Sequence, residues 1–508
     1  MNGAPDITTR IGNKKHLKLV TTPEQAAAMI HPSDTVGMSG FTPTGYPKAV
    51  PLALAKRIEK EHFKIQVFTG ASVGDELDGA LVRAGGISRR YPYQSNNDLR
   101  QQINTGNIAY VDMHLSVMPQ QLRSGFFGKM AFAIVEAAAL TPDGDIIPTT
   151  SLGATPTMVS QANKVIVEIN VTKPLELAGM HDIYEPLNPP YRRPIPIARA
   201  GDRIGLPYIK CGWDKIAAIV PCDIPDTGKA LGAIDDDAKA MSKHIIKFLQ
   251  EEVRKGALPY NLLPLQSGVG SVANAVITGL QHSVFTDLSV YTEVLQDGML
   301  DLIDAGKIDK ISTTAISTSP EGTKRFFANL PAYKDKIVLR PQEISNNPEV
   351  IRRLGVISIN TAIEADIYGN VNSSHVCGTK IMNGIGGAGD FARASYLSIF
   401  CTPSIAKKGA ISSIVPMCSH IDHTEHDVDV ICTEQGLADL RGLSPIERAR
   451  LIIRSCANPK YREQLTDYLN RSLEATNLAH IPHILKDALS WHQRFIDTGT
   501  MEEKSPNI

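Results

Sequence analysis

The chain has no Cys-x-x-Cys pair, and its 7 cysteines are scattered (Cys211, Cys222, Cys377, Cys401, Cys418, Cys432 and Cys456). An odd, dispersed set argues against a disulfide framework and against a paired-thiolate zinc site, so reduced thiols in a cytoplasmic enzyme are the expectation. No apolar run of about 18 residues occurs, which argues against a transmembrane helix. The opening MNGAPDITTRIGNKKHLKLV lacks the apolar core of a secretory leader. An excess of one charge is missing as well. The 52 basic residues face 53 acidic ones, for a net charge of −1. No global field recruits nucleic acid or a membrane surface, so any anionic ligand must be held by local groups. What is present is ordinary for a soluble globular protein, 43% hydrophobic and 21% charged. At 508 residues it is too long for one core, so two or more domains are expected.

Strand and helix patterns alternate from Thr35. TVGMSGF reads as a strand, TPTGY as a loop and PKAVPLALAKRIEKE as a helix, with Pro47 suited to its first turn. A second strand covers Ile65 to Thr69, and a third covers Ala131 to Ala138 before LTPDGDIIPTTSLGA. This alternation predicts an α/β fold with a parallel sheet. PLNPPYRRPIPI, at 186–197, must be irregular; its arginines either sit in a solvated surface loop or face an anion. The turn-rich stretch 222–238 is the best linker, and Asp235 to Asp237 begin a long amphipathic helix. GDIIPTTSLGA at 144–154 resembles GNVNSSHVCGT at 369–379. Gly144 matches Gly369, Ile146 matches Val371 and Gly153 matches Gly378, all at one offset. That repeat predicts two α/β domains built on one plan, divided as 1–225 and 226–508. The segment from Ser444 onward reads as helical scaffold.

The stretch around which the chain is organised is Gln266 to Gly306, QSGVGSVANAVITGLQHSVFTDLSVYTEVLQDGMLDLIDAG. A glycine turn, Gly268-Val269-Gly270, opens a helix with Val272, Ala275, Val276 and Leu280 on one face. A strand follows over Leu288 to Thr292, with Glu293 at its end. A second helix carries Leu295, Met299, Leu302 and Ile303, and Gly306 stands at its C-cap. A carboxylate at the carboxyl end of a strand lies where open α/β sheets bind ligands. Backbone N–H groups converging nearby point to covalent acyl chemistry.

GVGSVANAV, YTEVLQDGM, NGIGGAGDF (383–391) and VICTEQGLADLRG (430–442) together resemble the acetyl-CoA hydrolase/transferase family. The likeness is strongest to its succinyl-CoA:acetate CoA-transferases and extends from GFTPTGYPKAVP (40–51) to LSWHQRFIDTGTM (489–501). The resemblance implies two CoA-transferase-type (NagB/RpiA-like) α/β domains with the active site at their interface. It implies that Glu293 is the nucleophile, forming an acyl-glutamyl anhydride and then a glutamyl-CoA thioester. It assigns oxyanion donors to the backbone of Val269 and Gly387, a hydrogen bond to the reacting carboxyl to Asn346, and CoA contacts to Leu265, Gln266, Ser267, Gly268, Asn383, Gly387 and Lys407. Glu434 falls near the active site, read either as ordering the Gly387 loop or as a helix cap. Ser72 and Ser95 match positions that hold the small carboxylate. Where the family often has an arginine near the linker, PDTGKAL puts Thr227 in the approximate place. CoA thioesters and short-chain acids are the implied partners, with a homodimer, no cofactor beyond CoA and no metal.

Two patterns invite other readings. Gly384 to Gly389 fits GxGxxG, but no acid follows at a strand end as a dinucleotide site requires. In CSHIDHTEHDVDV, Cys418, His420, His423, His426 and Asp427 look like metal ligands at a spacing that fits no standard zinc pattern. The alternatives to a transferase are an acetyl-CoA hydrolase on the same scaffold and a non-catalytic acyl-CoA sensor.

Overall fold

An all-parallel seven-stranded sheet organises the N-terminal part of the chain. In spatial order its strands are Ala109–Tyr110, Ile87–Tyr91, Ile65–Phe68, Thr35–Met38, Met130–Ala137, Ala162–Asn170 and Ile216–Cys222. The computed structural model from which this is read describes residues 5–228, 234–268 and 270–503. Helices cover a parallel sheet, so its central strands are apolar on both faces. Val165, Ile166, Val167 and Ile169 are accordingly all fully buried. Helix Ala49–Glu61 connects the first two strands in sequence and buries Val50, Leu54 and Ile58. It starts two residues later than Pro47 suggests. The carboxylate of Glu168, on a neighbouring strand, accepts the N–H groups of Lys48, Ala49 and Val50 at 2.6, 3.1 and 3.0 Å. A tertiary cap, rather than a local proline, fixes the helix start.

Residues cluster into two compact units, Met1–Ala230 with Asp287–Leu354, and Leu231–Thr286 with Gly355–Ile508. These units do not follow a single cut at 225/226. The segment 287–354 joins the N-terminal part through backbone bonds from Leu152 N to Thr314 O and from Ile316 N to Thr150 O, each 2.9 Å. Buried Arg340 pairs with Asp182 and donates to Ser312 Oγ at 2.8 Å. Within this segment Leu288–Tyr291, Ile308–Thr313 and Ile337–Leu339 run parallel.

In the other unit Leu265–Ser267, Ile357–Thr361, Leu397–Cys401 and Val430–Thr433 run parallel, and Gly436–Asp439 returns antiparallel. Asp235 caps helix Asp236–Arg254 through a 2.7 Å bond from Ala238 N, as its sequence predicts. That helix lies close against Ser271–Gln281: a Cβ on Gly279 would stand 2.3 Å from Ile246. The C-terminal helices, Pro445–Ser455, Pro459–Ala475 and Ser490–Thr498, pack a core of Ile452, Tyr461, Leu465, Tyr468 and Trp491.

The sequence repeat is a structural one. In the first copy Ala139 pairs with Ile147 and Leu140 with Ile146; in the second Glu364 pairs with Asn372 and Ala365 with Val371. Both hairpins therefore keep the same register at the offset of the sequence match. The paired glycines need the left-handed region, with φ of 86° and 100° at Gly144 and Gly369, and 51° and 68° at Gly153 and Gly378.

His181 joins the N-terminal part of the first unit to strand Ile337–Leu339 by a bridge to Leu339. Its Nε2 lies 2.8 Å from the Thr149 carbonyl. Burial first, then the charges of Arg203 and Lys334, lower its pKa from 6.5 to about 4. The native state thus binds fewer protons than the unfolded chain between those values, and stability falls as pH drops through that window. Denaturant unfolding near pH 7 and near pH 5 is expected to show His181→Gln losing about 2 kcal/mol less than wild type over that step.

Candidate active site

Glu293 follows strand Leu288–Tyr291 at its carboxyl end. Its main chain is pinned by the next strand. The Glu293 carbonyl accepts from Thr314 N and Ala315 N, both at 3.0 Å, and from Thr313 Oγ1 at 2.8 Å. The residues after it, Val294–Leu295, form a short strand paired with Ala315–Ile316, and the helix begins only at Asp297. The expected helical Leu295 is therefore a strand residue. Pairing with a neighbour overrides a pattern that reads as helix by itself.

The side chain of Glu293 is half-buried. Asn346 Nδ2 donates to Glu293 Oε1 at 2.6 Å. An ionised carboxylate can only accept, so this contact fixes which way the Asn346 amide faces. Asn346 is fully buried at the C-cap of the short helix Gln342–Ser345. A second tie runs beside the first: Tyr291 Oη donates to the Ile344 carbonyl at 2.5 Å. Residues 291 and 293 thus each hold a residue of the 344–346 turn, two positions apart on both sides.

Two groups that the sequence did not single out hold that helix. Gln342 sits among glycines; a Cβ on Gly70 would come 2.6 Å from the Gly40 carbonyl and 3.0 Å from Gln342 Oε1. Its backbone N–H reaches Gly153 O and its Nε2 reaches Leu115 O, each at 2.9 Å. Glu343, 3% exposed, takes a bidentate pair from Arg123 (2.6 and 2.7 Å) and a third bond from Arg192 at 2.9 Å. Arg192 comes from the irregular 186–197 loop. Its partner is a buried protein carboxylate and not a ligand anion, while Arg193 and much of the loop are exposed, as the surface-loop reading expects. Only chain folding brings 123, 192 and 343 together, so no local pattern announces them.

Ser72 is buried, and Ser95 is half-buried. Ala71 shares an apolar cluster with Phe41, Leu115, Val294 and Ala315, and Tyr93 packs on it. The loops bearing both serines are thereby attached to the residue that follows Glu293. Thr227 Oγ1 donates to Glu76 Oε1 at 2.9 Å, and Tyr46 Oη donates to Glu76 Oε2 at 2.6 Å. Beside Thr227, Asp226 is neutralised by Lys48 (2.9 Å) and Lys173, whose ammonium groups hold its carboxyl well below the usual range against the cost of burial.

The second unit carries the other sequence-predicted positions. Leu265, Gln266 and Ser267 form a buried strand. Gln266 exchanges amide bonds with Asn360 at 3.1 and 3.3 Å and accepts from Ile359 N at 3.2 Å. Gly268 N donates to Ile359 O at 2.9 Å. Val269 lies outside the described residues. Asn383 sits in a bend after strand Lys380–Ile381, and Gly387 caps the short helix Ala388–Ala392. Gly384 and Gly386 take φ of 141° and 58°, so side chains are disfavoured there. Lys407 is exposed, with Nζ 4.9 Å over the Phe495 ring.

Glu434 is placed differently from either sequence reading. It occupies the turn between Val430–Thr433 and Gly436–Asp439, a hairpin and not a helix start. Its carboxylate accepts from Ser404 N at 2.7 Å, from Ser404 Oγ and from Gln435 Nε2 at 3.0 Å. Burial raises its pKa, but the bonds from Ser404 and Gln435 outweigh this, and the net shift is downward. Glu434 therefore anchors the 404–407 segment that leads to Lys407. The histidine-rich run also separates. Cys418 donates to Asn370 O at 3.3 Å, His423 is buried within 3.0 Å of Ser373 Oγ, and His426 is exposed.

Residues 6–221 match the acetyl-CoA hydrolase/transferase N-terminal domain, and residues 322–469 match the C-terminal domain of the same family. The chain is 56% identical to a succinyl-CoA:acetate CoA-transferase of Clostridium kluyveri, over 97% of this chain and 92% of that one. It is 44% identical to an acetyl-CoA hydrolase of Schizosaccharomyces pombe, over 98% of each. The crystal structure of RipA from Yersinia pestis shares the fold with a TM-score of 0.70 at 23% identity, over 91% of this chain and 98% of that one.

Glu343→Ala leaves Arg123 and Arg192 facing each other without their carboxylate. Breaking such a buried pair from one side costs about 3–5 kcal/mol. Denaturant unfolding is expected to show that loss, with a smaller one for Arg192→Ala, whose side chain is 30% exposed.

Proposed function

Since the chain belongs to the acetyl-CoA hydrolase/transferase family, we propose that it moves CoA from succinyl-CoA to acetate, or a similar short acid, by double displacement at Glu293. The observation that carries this reading is the half-buried carboxylate at a strand's carboxyl end, held by a fully buried amide at 2.6 Å. A carboxylate nucleophile conserves the thioester's free energy, which hydrolysis would dissipate. Glu293 attacks the succinyl thioester carbonyl, and the tetrahedral intermediate expels CoA thiolate to leave a succinyl-glutamyl anhydride. The thiolate then attacks the glutamyl carbonyl and releases succinate, giving a glutamyl-CoA thioester. Acetate attacks that thioester, thiolate leaves again, and its attack on the acetyl carbonyl yields acetyl-CoA and free Glu293. Proton count does not change in any step, so no general acid or base is required.

Asn346 Nδ2 has its role on the glutamyl side. When the glutamyl carbonyl becomes tetrahedral, its oxygen gains charge, and a donor already in place stabilises it with little reorganisation. The backbone N–H groups of Gly387 and Val269 are the donors assigned to the remaining oxyanion positions. Lys407, on the segment fixed by Glu434, is assigned to a CoA phosphate. Ser72 and Ser95 are assigned to the small acid. Thr227, bonded to Glu76, supplies no cation for a distal carboxylate.

Hydrolysis is the second reading, favoured by the name of the fission-yeast relative. The two differ in product: with succinyl-CoA and acetate, a transferase makes acetyl-CoA at the rate succinyl-CoA disappears, whereas a hydrolase releases free CoA. Acetate is expected to exceed malonate and glutarate in kcat/KM. Equal or better use of either diacid would overturn the assignment of the acid pocket.

Glu293→Ala is expected to fold and to lose nearly all transfer. Glu293→Asp retracts the carboxylate by one methylene, roughly 1.5 Å. A misplacement of about 1 Å costs on the order of a hundredfold, so this variant should be nearly as inactive. Wild type given acyl-CoA without acceptor should carry the mass of CoA at Glu293 in acid-quenched peptides, and borohydride should then inactivate it. An active Glu293→Ala together with an unmodified Glu293 peptide would remove the covalent mechanism.

A further inference from the structure

Although the histidine-rich run does not converge as a unit, two of its residues meet a third from elsewhere in the same unit. His420 and Asp422 lie against His375 on strand His375–Val376, and one donor atom from each falls within 4.8 Å of the others. We propose that His375, His420 and Asp422 form a binding site for a borderline-soft divalent transition cation, typified by Zn2+.

The supporting bonds define which atoms are offered. Asp422 accepts from Ser373 N at 2.7 Å and from Ser374 Oγ at 2.7 Å. A carboxylate only accepts, so the Ser374 hydroxyl hydrogen points toward Asp422. Ser374 Oγ, 2.7 Å from His375 Nδ1, must then accept the Nδ1 hydrogen. That tautomer leaves the lone pair of His375 on Nε2, the state a metal needs. A histidine whose other nitrogen is fixed by a hydroxyl–carboxylate relay is the usual second layer of a metal centre.

His420 Nε2 stands 3.2 Å from Asp422 Oδ1. Two ligands on one tetrahedral Zn2+ are separated by about 3.3 Å, so this pair already has the required spacing. The rings of His375 and His420 lie 3.9 Å apart, tilted by 39°. His420 is 38% exposed, so its ring has room to turn toward a shared cation. Two imidazoles and one carboxylate suit Zn2+, Co2+ or Ni2+; Mg2+ prefers oxygen ligands and keeps its water. Three protein ligands leave a fourth position for solvent. The cation would tie the loop at 420–422 to the hairpin His375–Val376 with Lys380–Ile381, just before Asn383. None of the transfer steps passes through it.

The test is Zn2+ titration of tag-free, chelator-treated full-length protein against a chromophoric competitor. One ion per chain is expected, with Co2+ in its place giving the visible bands of a four-coordinate site. His420→Ala should abolish this saturable binding, and Ser374→Ala, which removes only the relay, should weaken it by about 10- to 100-fold. His426→Ala, an exposed neighbour outside the cluster, should leave it unchanged. Absence of saturable uptake in wild type, or uptake surviving His420→Ala, would overturn the proposal. Because the readout is binding and not turnover, neither result depends on whether the chain is a transferase or a hydrolase.

Discussion

A 2.6 Å hydrogen bond between Asn346 and Glu293 is the constraint that most of the first unit serves. In the proposed mechanism the Glu293 carboxylate attacks, and a neutral amide donor orients it without adding a countercharge of its own. An amide directs only if it is itself fixed. Asn346 caps a one-turn helix, Gln342–Ser345, far too short to hold its shape alone. Its rigidity is imported: Arg123 and Arg192 grip Glu343, Gln342 fills a slot between glycines, and Tyr291 holds the Ile344 carbonyl. The three bonds on the Glu293 carbonyl do the same for the other partner.

The same logic operates in the second unit with different chemistry. The 404–407 segment is a two-residue strand and the start of a 3-10 turn, and Glu434 holds its first residue, Ser404, by two bonds, with Asn458 Nδ2 adding a third at 3.0 Å. Gln266 and Asn360 lock adjacent parallel strands through side-chain amides. In both units a polar group satisfied by several partners, buried in the first and half-buried in the second, holds a segment near the strand ends where parallel sheets place their functional groups.

The hairpins 139–147 and 364–372 keep one register and one glycine geometry, yet the surroundings have diverged. In the first, Glu136 on the preceding strand receives Lys48 at 2.6 Å and Thr149 Oγ1 at 2.7 Å. In the second, Glu364 receives His492 at 2.7 Å and Asn372 at 2.9 Å. The hairpins are held by backbone pairing and tolerate this change; the side-chain networks set what each copy can do.

By itself the sequence determined the α/β class, the duplicated plan, the helix at Asp236 and the family, hence Glu293 as the residue to watch. Those features are local or periodic: strand and helix spacing, an N-cap aspartate, glycines at positive φ, long motifs in fixed order. Tertiary structure alone decided the rest. Glu168 set a helix start from a neighbouring strand, strand pairing took Leu295 out of the expected helix, and Glu434 proved to be a hairpin turn that binds Ser404. It also gave Arg192 a protein carboxylate for a partner and broke the histidine run apart, sending His420 and Asp422 to His375. Each outcome depends on groups tens to hundreds of residues apart. Hydrogen bonds and charges act over a few ångströms of space, and a one-dimensional pattern carries no record of which distant groups folding will bring that near.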